Sequence, residues 1–227
     1  MTIGGNCDSA VFIDGGFFDH VLDDAAPPKL NPKNPERGEF FRLDYNLFAE
    51  KLCELCGAKR LRTYYYHCRP IDDGSGYARA KNNFYNGLIR TPRFEFREGK
   101  LSRHRLLCKS KSCQQPLVCK VCGREQWKIE QKRTDDLLMV DVVSLSWRYL
   151  IKKAILVGGD SDFVPAFKES KEAGVIAYLA NYVSRNPNSK VRVHDELYDL
   201  FDERIEITPE FIISCGKYVK RADAPGG

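Results

Sequence analysis

Apolar and polar positions along this chain follow two periods that take turns. Short apolar runs, SAVFID at 9–14, LRTYYY at 61–66, KAILV at 153–157 and VIAYLA at 175–180, have the length of strands buried on both faces. Between them the period becomes helical. RLDYNLFAEKLCELCGAKR sets Leu47, Phe48, Leu52 and Leu55 at helical spacing, with Asp44 as N-cap and Gly57 as stop. GSGYARAKNNFYNGLIRTP predicts a helix over 76–90, ended ahead of Pro92. TDDLLMVDVVSLSWRYL and DSDFVPAFKESKEAG predict two more, and the tail adds a helix near 193–201, a short RIEI strand and a helix from Pro209. RFEFREG and QWKIEQK alternate strictly, as half-exposed or edge strands do. AAPPKLNPKNPERGEFF, rich in proline, asparagine and charge, reads as an exposed loop. Strand–helix alternation of this kind predicts an α/β fold, a Rossmann-like three-layer sandwich with a mainly parallel sheet.

Composition narrows the class. The 227 residues suit one domain, 1–98 with 125–227, carrying an insertion at 99–124. With 43% hydrophobic and 30% charged residues the chain reads as a soluble globular protein. No apolar run reaches the length of a membrane span, and the start MTIGGNCDSAVFIDGG has no basic region before an apolar core. A cytoplasmic protein without a membrane partner is expected. Nine cysteines, an odd count, favour free thiols or metal binding over a disulfide framework. From Arg97 to Arg133 eleven Lys/Arg face three Glu, a local balance of +8 against +5 for the whole chain. A basic arm on a mildly acidic body is the footprint of a polyanionic partner, or simply a solvated insert.

In open parallel sheets, ligands bind beyond the carboxyl ends of the strands. Asp14 closes the first strand, Asp160 and Asp162 follow KAILV, and Asp135 with Asp136 opens the TDDLLMVDVV helix. Each helix-start acid can be a cap and a partner of the helix dipole. Together, drawn from separated pieces of sequence, they point to a site for hard divalent cations, which relieve the repulsion among carboxylates. Two such ions about 4 Å apart hydrolyse phosphodiesters. Asp141 lies six residues after Asp135, about 240° further around the helix, and is expected to be structural or to support the site from behind. A phosphatase with an Asp-x-Asp nucleophile would need an acid two residues after Asp14, where this chain has Gly16. Of the four histidines, His67 and His104 pair with no obvious Ser or Cys, so covalent catalysis lacks support.

VFIDGGFF, KRTDDLLMVDVVSL and AILVGGDSDFVPAFKESKEAGVIAYLA together resemble the NYN domain family, the LabA-like branch of the PIN-like nucleases. The matching positions are Asp14 and Gly15, then Lys132, Asp135 and Asp141, then Gly159, Asp160, Ser161, Asp162 and Phe163; Arg62–Tyr66 fits the family's second strand. The likeness runs from about Ser9 to Ala180, the cysteine segment excepted, and GGDSDF is its most specific piece. It implies a PIN-like fold and a Mg²⁺- or Mn²⁺-dependent ribonuclease with Asp14, Asp135, Asp160 and Asp162 as catalytic metal ligands. Lys132, the basic residue nearest the acids, is a candidate contact to a substrate phosphate or else an ordinary solvated lysine at a strand end, and Ser161 is a second candidate contact. Phe17 stands where many members carry Asn, so that contact is not carried over.

Cys108, Cys113, Cys119 and Cys122, spaced x4, x5 and x2 and ending in Cys-x-x-Cys-Gly, form a small polar segment with no core of its own. Structural zinc on four thiolates is the expected staple, with redox or free thiols as the alternative. Arg103, Arg105, Lys109 and Lys111 around it suit a nucleic-acid backbone, and a protein–protein contact is the other reading. Cys53 and Cys56 also form Cys-x-x-Cys but fall in a helical apolar pattern, so packing accounts for them. Tyr64 and Tyr66 should face one side of the sheet and Tyr65 the other. The RFEF strand could pair edge to edge in a homodimer. An RNA- or protein-binding module that no longer cuts remains the main alternative to the nuclease.

Overall fold

Each of the buried runs becomes a strand of one sheet. In the computed structural model, which describes residues 7–29 and 38–220, β1 (Ser9–Asp14) lies between β3 (Arg60–His67) and β7 (Lys153–Val157). The sheet extends through β4 (Phe94–Glu98) on one side and through β8 (Ile176–Tyr182) and β9 (Glu203–Ile207) on the other. Its order, β4-β3-β1-β7-β8-β9, is parallel throughout. Successive strands run outward from β1 in one direction and then, from β7, in the other, the doubly wound Rossmann-like order. The reversal falls between β1 and β7, where Phe12 lies beside Leu156 and Ile13 beside Val157.

Parallel strands bury both faces, and the side-chain parity shows it. Val11, Ile13 and Tyr65 enter one core with α1 (Gly15–Ala25), α2 (Tyr45–Leu55), α3 (Gly76–Arg90) and α7 (Pro209–Ile213). Ala10, Phe12, Tyr64 and Tyr66 enter the opposite one with α4 (Thr134–Trp147), α5 (Val164–Glu172) and α6 (Asp195–Leu200). Val11, Phe12 and Ile13 are wholly buried, each contributing about 1.5–3 kcal/mol. The expected helix at 76–90 is found there, and Asp44 caps α2 by accepting from the Leu47 N–H. Cys53 and Cys56 are buried beneath α2, where burial raises their thiols to about 11 and about 12. They are packing groups. Among the described residues no helix is long and apolar enough to cross a membrane.

Two pairings lie outside this sheet. The loop expected over AAPPKLNPKNPERGEFF ends in a strand, β2 (Glu39–Leu43), antiparallel to β10 (Gly216–Lys220). Residues 30–37 of that loop, like 1–6 of the amino-terminal stretch, lie outside the described residues. The partner of β2 is far away in sequence, so local composition could not announce it. The second pairing joins β5 (Lys100–Arg105) to β6 (Trp127–Lys132) in an antiparallel hairpin that leaves the sheet directly after β4 and returns directly before α4. Both feet stand at the carboxyl edge: the Gly99 N–H donates to the His67 carbonyl at 3.0 Å.

Candidate active site

In open α/β sheets the ligand crevice lies at the carboxyl edge where the strand order reverses, which here is between β1 and β7. Asp14 ends β1 there, and Asp160 follows β7 at the head of a short 3-10 turn (Ser161–Phe163). Each acid caps the helical turn that begins after it. Asp14 Oδ1 accepts from the Gly16 and Phe17 N–H groups at 2.9 and 3.2 Å, and Asp160 Oδ1 accepts from the Asp162 N–H at 3.0 Å. Capping engages one oxygen of each carboxylate and fixes its rotamer, and the other oxygen has no such bond. Cap and ligand are compatible roles here.

Asp135 joins them from the first turn of α4. Arg133, in the left-handed region with φ 71°, turns the chain from β6 into this helix and gives no side-chain cap. Asp14 is half-buried, and burial pushes its carboxyl up to about 6, with repulsion from Asp135 adding to the rise. The N–H groups of Phe17 and Gly16 and the nearby His67 pull it back. Asp135 is also raised, first by desolvation and then by Asp160, Asp162 and Asp136. The residue is exposed at the rim, where water tempers the desolvation and the neighbouring carboxylates remain. Of the Asp135–Asp136 pair, Asp135 is therefore the member coupled to Asp14, Asp160 and Asp162. The four share an edge and a field. Among the described residues no three His, Cys, Asp or Glu side chains are drawn close enough to close a cage around an ion.

What sets these acids apart is their mutual field, which with burial raises Asp14 and Asp135 and which no ion pair offsets. Asp19 binds Lys81 at 2.8 Å, Glu98 binds Arg69 at 3.1 Å, Asp141 binds Arg97 at 2.8 Å, and Asp202 binds Lys171 at 2.8 Å. Among the described residues Asp14, Asp135, Asp160 and Asp162 form no ion pair within 4.0 Å. Asp141 also accepts from the Tyr66 hydroxyl at 3.0 Å, so it ties α4 to β3 and stays out of the acid set. A shallow hollow of about 370 Å³ between β3, β4 and α4 contains Arg62, Glu95, Arg97 and Asp141. These four charges pair with one another, and Arg148 also lines the hollow.

Two features of the wall escaped the sequence. Phe17 lies over Gly159: a Cβ there would stand 2.5 Å from Phe17 Cε2 and 3.0 Å from the Arg192 carbonyl oxygen, so only glycine fits. Beside Asp14, His67 Nε2 and Lys81 Nζ both reach Asp19 Oδ2, at 3.4 and 2.8 Å. These three come from β3, α3 and α1, and the parity of β3 places His67 on the side of Tyr65, next to β1. Lys132 and Ser161 flank the acids, Lys132 exposed at the foot of β6 and Ser161 half-buried beside Asp160.

Arg103, Arg105, Lys109 and Lys111 are not drawn into the crevice; all four are exposed on the hairpin or at its tip. The tip is two matched turns. The Cys108 N–H donates to the Gln115 carbonyl and the Cys119 N–H to the Arg124 carbonyl, both at 2.8 Å. In each turn the residue after the second cysteine is left-handed, Gln114 at φ 50° and Gly123 at φ 67°. The Cys119 thiol is held below the usual range, chiefly by N–H groups of Cys122 and Val121 and then by the Cys122 thiol. Among the described residues no apolar cluster supports this tip, and Val121 is 95% exposed. Comparison with known protein families, characterised proteins and solved structures finds no match to the chain.

Proposed function

We propose that the protein is a divalent-metal-dependent ribonuclease of the NYN family, built on the PIN-like variant of its Rossmann-like sheet. The observation that carries this reading is the acid set: four carboxylates without ion pairs at the carboxyl edge where the strand order reverses, one of them raised to about 6. An all-carboxylate donor set suits Mg²⁺ or Mn²⁺, whose charge would relieve the repulsion among Asp14, Asp135, Asp160 and Asp162. When bound, the ion supplies activation of the attacking water and neutralises charge on the leaving oxygen of the phosphodiester.

The chain's own residues bind and orient. Backbone N–H groups hold one oxygen of Asp14 and one of Asp160, which presents the other oxygen in a fixed direction. Lys132 and Ser161 meet the phosphate that flanks the scissile bond. The basic hairpin, with Arg103, Arg105, Lys109 and Lys111, gathers RNA through its backbone charge. Zinc on Cys108, Cys113, Cys119 and Cys122 staples the tip. The matched turns and the N–H groups aimed at the Cys119 sulfur are what thiolate ligands require, and the tip has no core to hold it otherwise.

The test sets the wild-type protein beside Asp160→Asn on labelled structured and single-stranded RNA, with Mn²⁺, with Mg²⁺ and with neither. Cleavage is expected only with metal, and about 100-fold or more slower in the variant. RNA that wild type binds but leaves whole with either ion refutes the reading and favours a non-cleaving binding module.

A further inference from the structure

The hairpin that rises from the carboxyl edge presents two unlike faces. Register places Leu101, Arg103 and Arg105 opposite Gln131, Ile129 and Trp127, so these six side chains share one face. On the other face Glu130 gathers Lys128 at 2.6 Å and His104 at 3.9 Å, a self-paired polar surface. The first face is not self-contained. Trp127 is 38% and Ile129 54% exposed, and among the described residues no other element packs closely against the hairpin. The Arg103 guanidinium lies 4.4 Å and that of Arg105 5.2 Å from the Trp127 ring centroid, and Arg105 also pairs with the exposed Glu125 at 3.2 Å, a contact that a phosphate would replace.

An indole left in water between two arginines contributes little to a two-stranded hairpin. It has the composition of a surface that grips bases: an aromatic plane for stacking and cations for the phosphates on either side. We infer that the Trp127 face of the hairpin is a stacking platform for single-stranded nucleic acid, with Arg103 and Arg105 taking the phosphates that flank a base stacked on Trp127. This deepens the nuclease reading and rests on it for the choice of RNA. A duplex hides its base faces and is held by backbone contacts, for which an exposed tryptophan has no use. The excess of eleven Lys/Arg over three Glu between Arg97 and Arg133 favours a polyanion over a protein surface. Trp127 stands five residues along β6 from Lys132, about 17 Å at about 3.3 Å per residue. The stacked base is therefore several nucleotides from the phosphate at the acids, and the platform holds the strand at a distance from the cut.

The test uses full-length protein carrying Asp160→Asn, so that RNA survives, and Trp147→Phe, so that Trp127 is the sole emitter. It is titrated with single-stranded RNA, single-stranded DNA of the same sequence, and RNA duplex. Saturable quenching by single strands is expected. Trp127→Ala and Trp127→Phe, which carry no tryptophan, are read by the anisotropy of end-labelled RNA; Trp127→Ala should weaken single-strand binding by about fivefold to about a hundredfold, the range for loss of one stacked base. Trp127→Phe, which keeps a ring, should recover most of it, and duplex binding should change little. Single-stranded DNA bound as tightly as RNA supports the platform and moves polymer choice elsewhere. Unchanged single-strand affinity in Trp127→Ala overturns it, and so does equal loss in the Ala and Phe variants or tighter binding of duplex. Cleavage is scored separately with Asp160 restored. Lost quenching with cleavage retained sinks the platform alone, and quenching without cleavage sinks the nuclease reading alone.

Discussion

Replacing Asp14 by Asn separates the cost of the acid set from its use. Asparagine caps a helix about as well as aspartate, so the bonds from the Gly16 and Phe17 N–H groups persist while the charge goes. A carboxyl raised from 3.8 to about 6 disfavours its charged form by about 3 kcal/mol, at about 1.4 kcal/mol per tenfold change in proton affinity. Water at the half-buried group screens part of this, and about 1–2 kcal/mol is expected. Between 3.8 and about 6 the folded protein retains a proton that the unfolded chain has released. Wild-type stability therefore falls as pH rises through that window, and Asp14→Asn lacks this slope. In buffer without Mg²⁺ or Mn²⁺, urea unfolding at pH 7.5 (~1–2 pH units above the raised value) should find Asp14→Asn the more stable by about 1–2 kcal/mol, about 2–8 °C in Tm. The gap should close near the ordinary carboxylate value, 3.8. Added Mn²⁺ should raise the Tm of wild type and leave the variant nearly unmoved, and the variant should not cleave RNA. A variant less stable than wild type by the same amount at every pH would refute the reasoning, because Asp14 would then be a cap and nothing more.

The geometry fixes two further outcomes. A Cβ at Gly15 would stand 2.6 Å from His67 Cδ2 and 2.7 Å from the Tyr66 carbonyl oxygen, so Gly15→Ala should destabilise the fold in urea by about 1–3 kcal/mol of overpacking strain; a change within about 0.5 kcal/mol contradicts the contact. Elemental analysis should find roughly one zinc per wild-type chain and well below that in Cys119→Ser, whose hairpin tip trypsin should cut first while the melting of the sheet holds; equal zinc in both proteins rules out the thiol site.

The legible parts of this fold are those written in one stretch of chain. Val11–Phe12–Ile13 and Ile155–Leu156–Val157 read as buried strands because both faces need apolar cover, and strand direction alone places the acids after them on the carboxyl edge. Glu39–Leu43 reads as loop because its partner, Gly216–Lys220, lies at the far end of the sequence and its own composition gives weak strand signal. The Asp19–His67–Lys81 group needs three elements to be set side by side, and no spacing encodes that. Asp135 and Asp136 are indistinguishable as letters. Only the direction of α4 relative to β1 and β7 separates the acid whose charge acts on Asp14 from the one beside it.

The placement of β1 between β3 and β7 also has a consequence for the order in which the molecule is made. Asp14 is synthesised near the start of the described chain, yet Asp160 and Asp162 join it only after β7, some way past its midpoint, has docked along β1. Parallel pairing at such separation is slow to form, because the long intervening chain must be closed before the contacts reward it. A nascent chain halted before β7 holds Asp14 and Asp135 but lacks Asp160 and Asp162 and the strand that leads to them. The proposed activity is therefore absent from every shorter fragment, and a growing polypeptide surrounded by RNA passes through no stage at which a partial site could cut it.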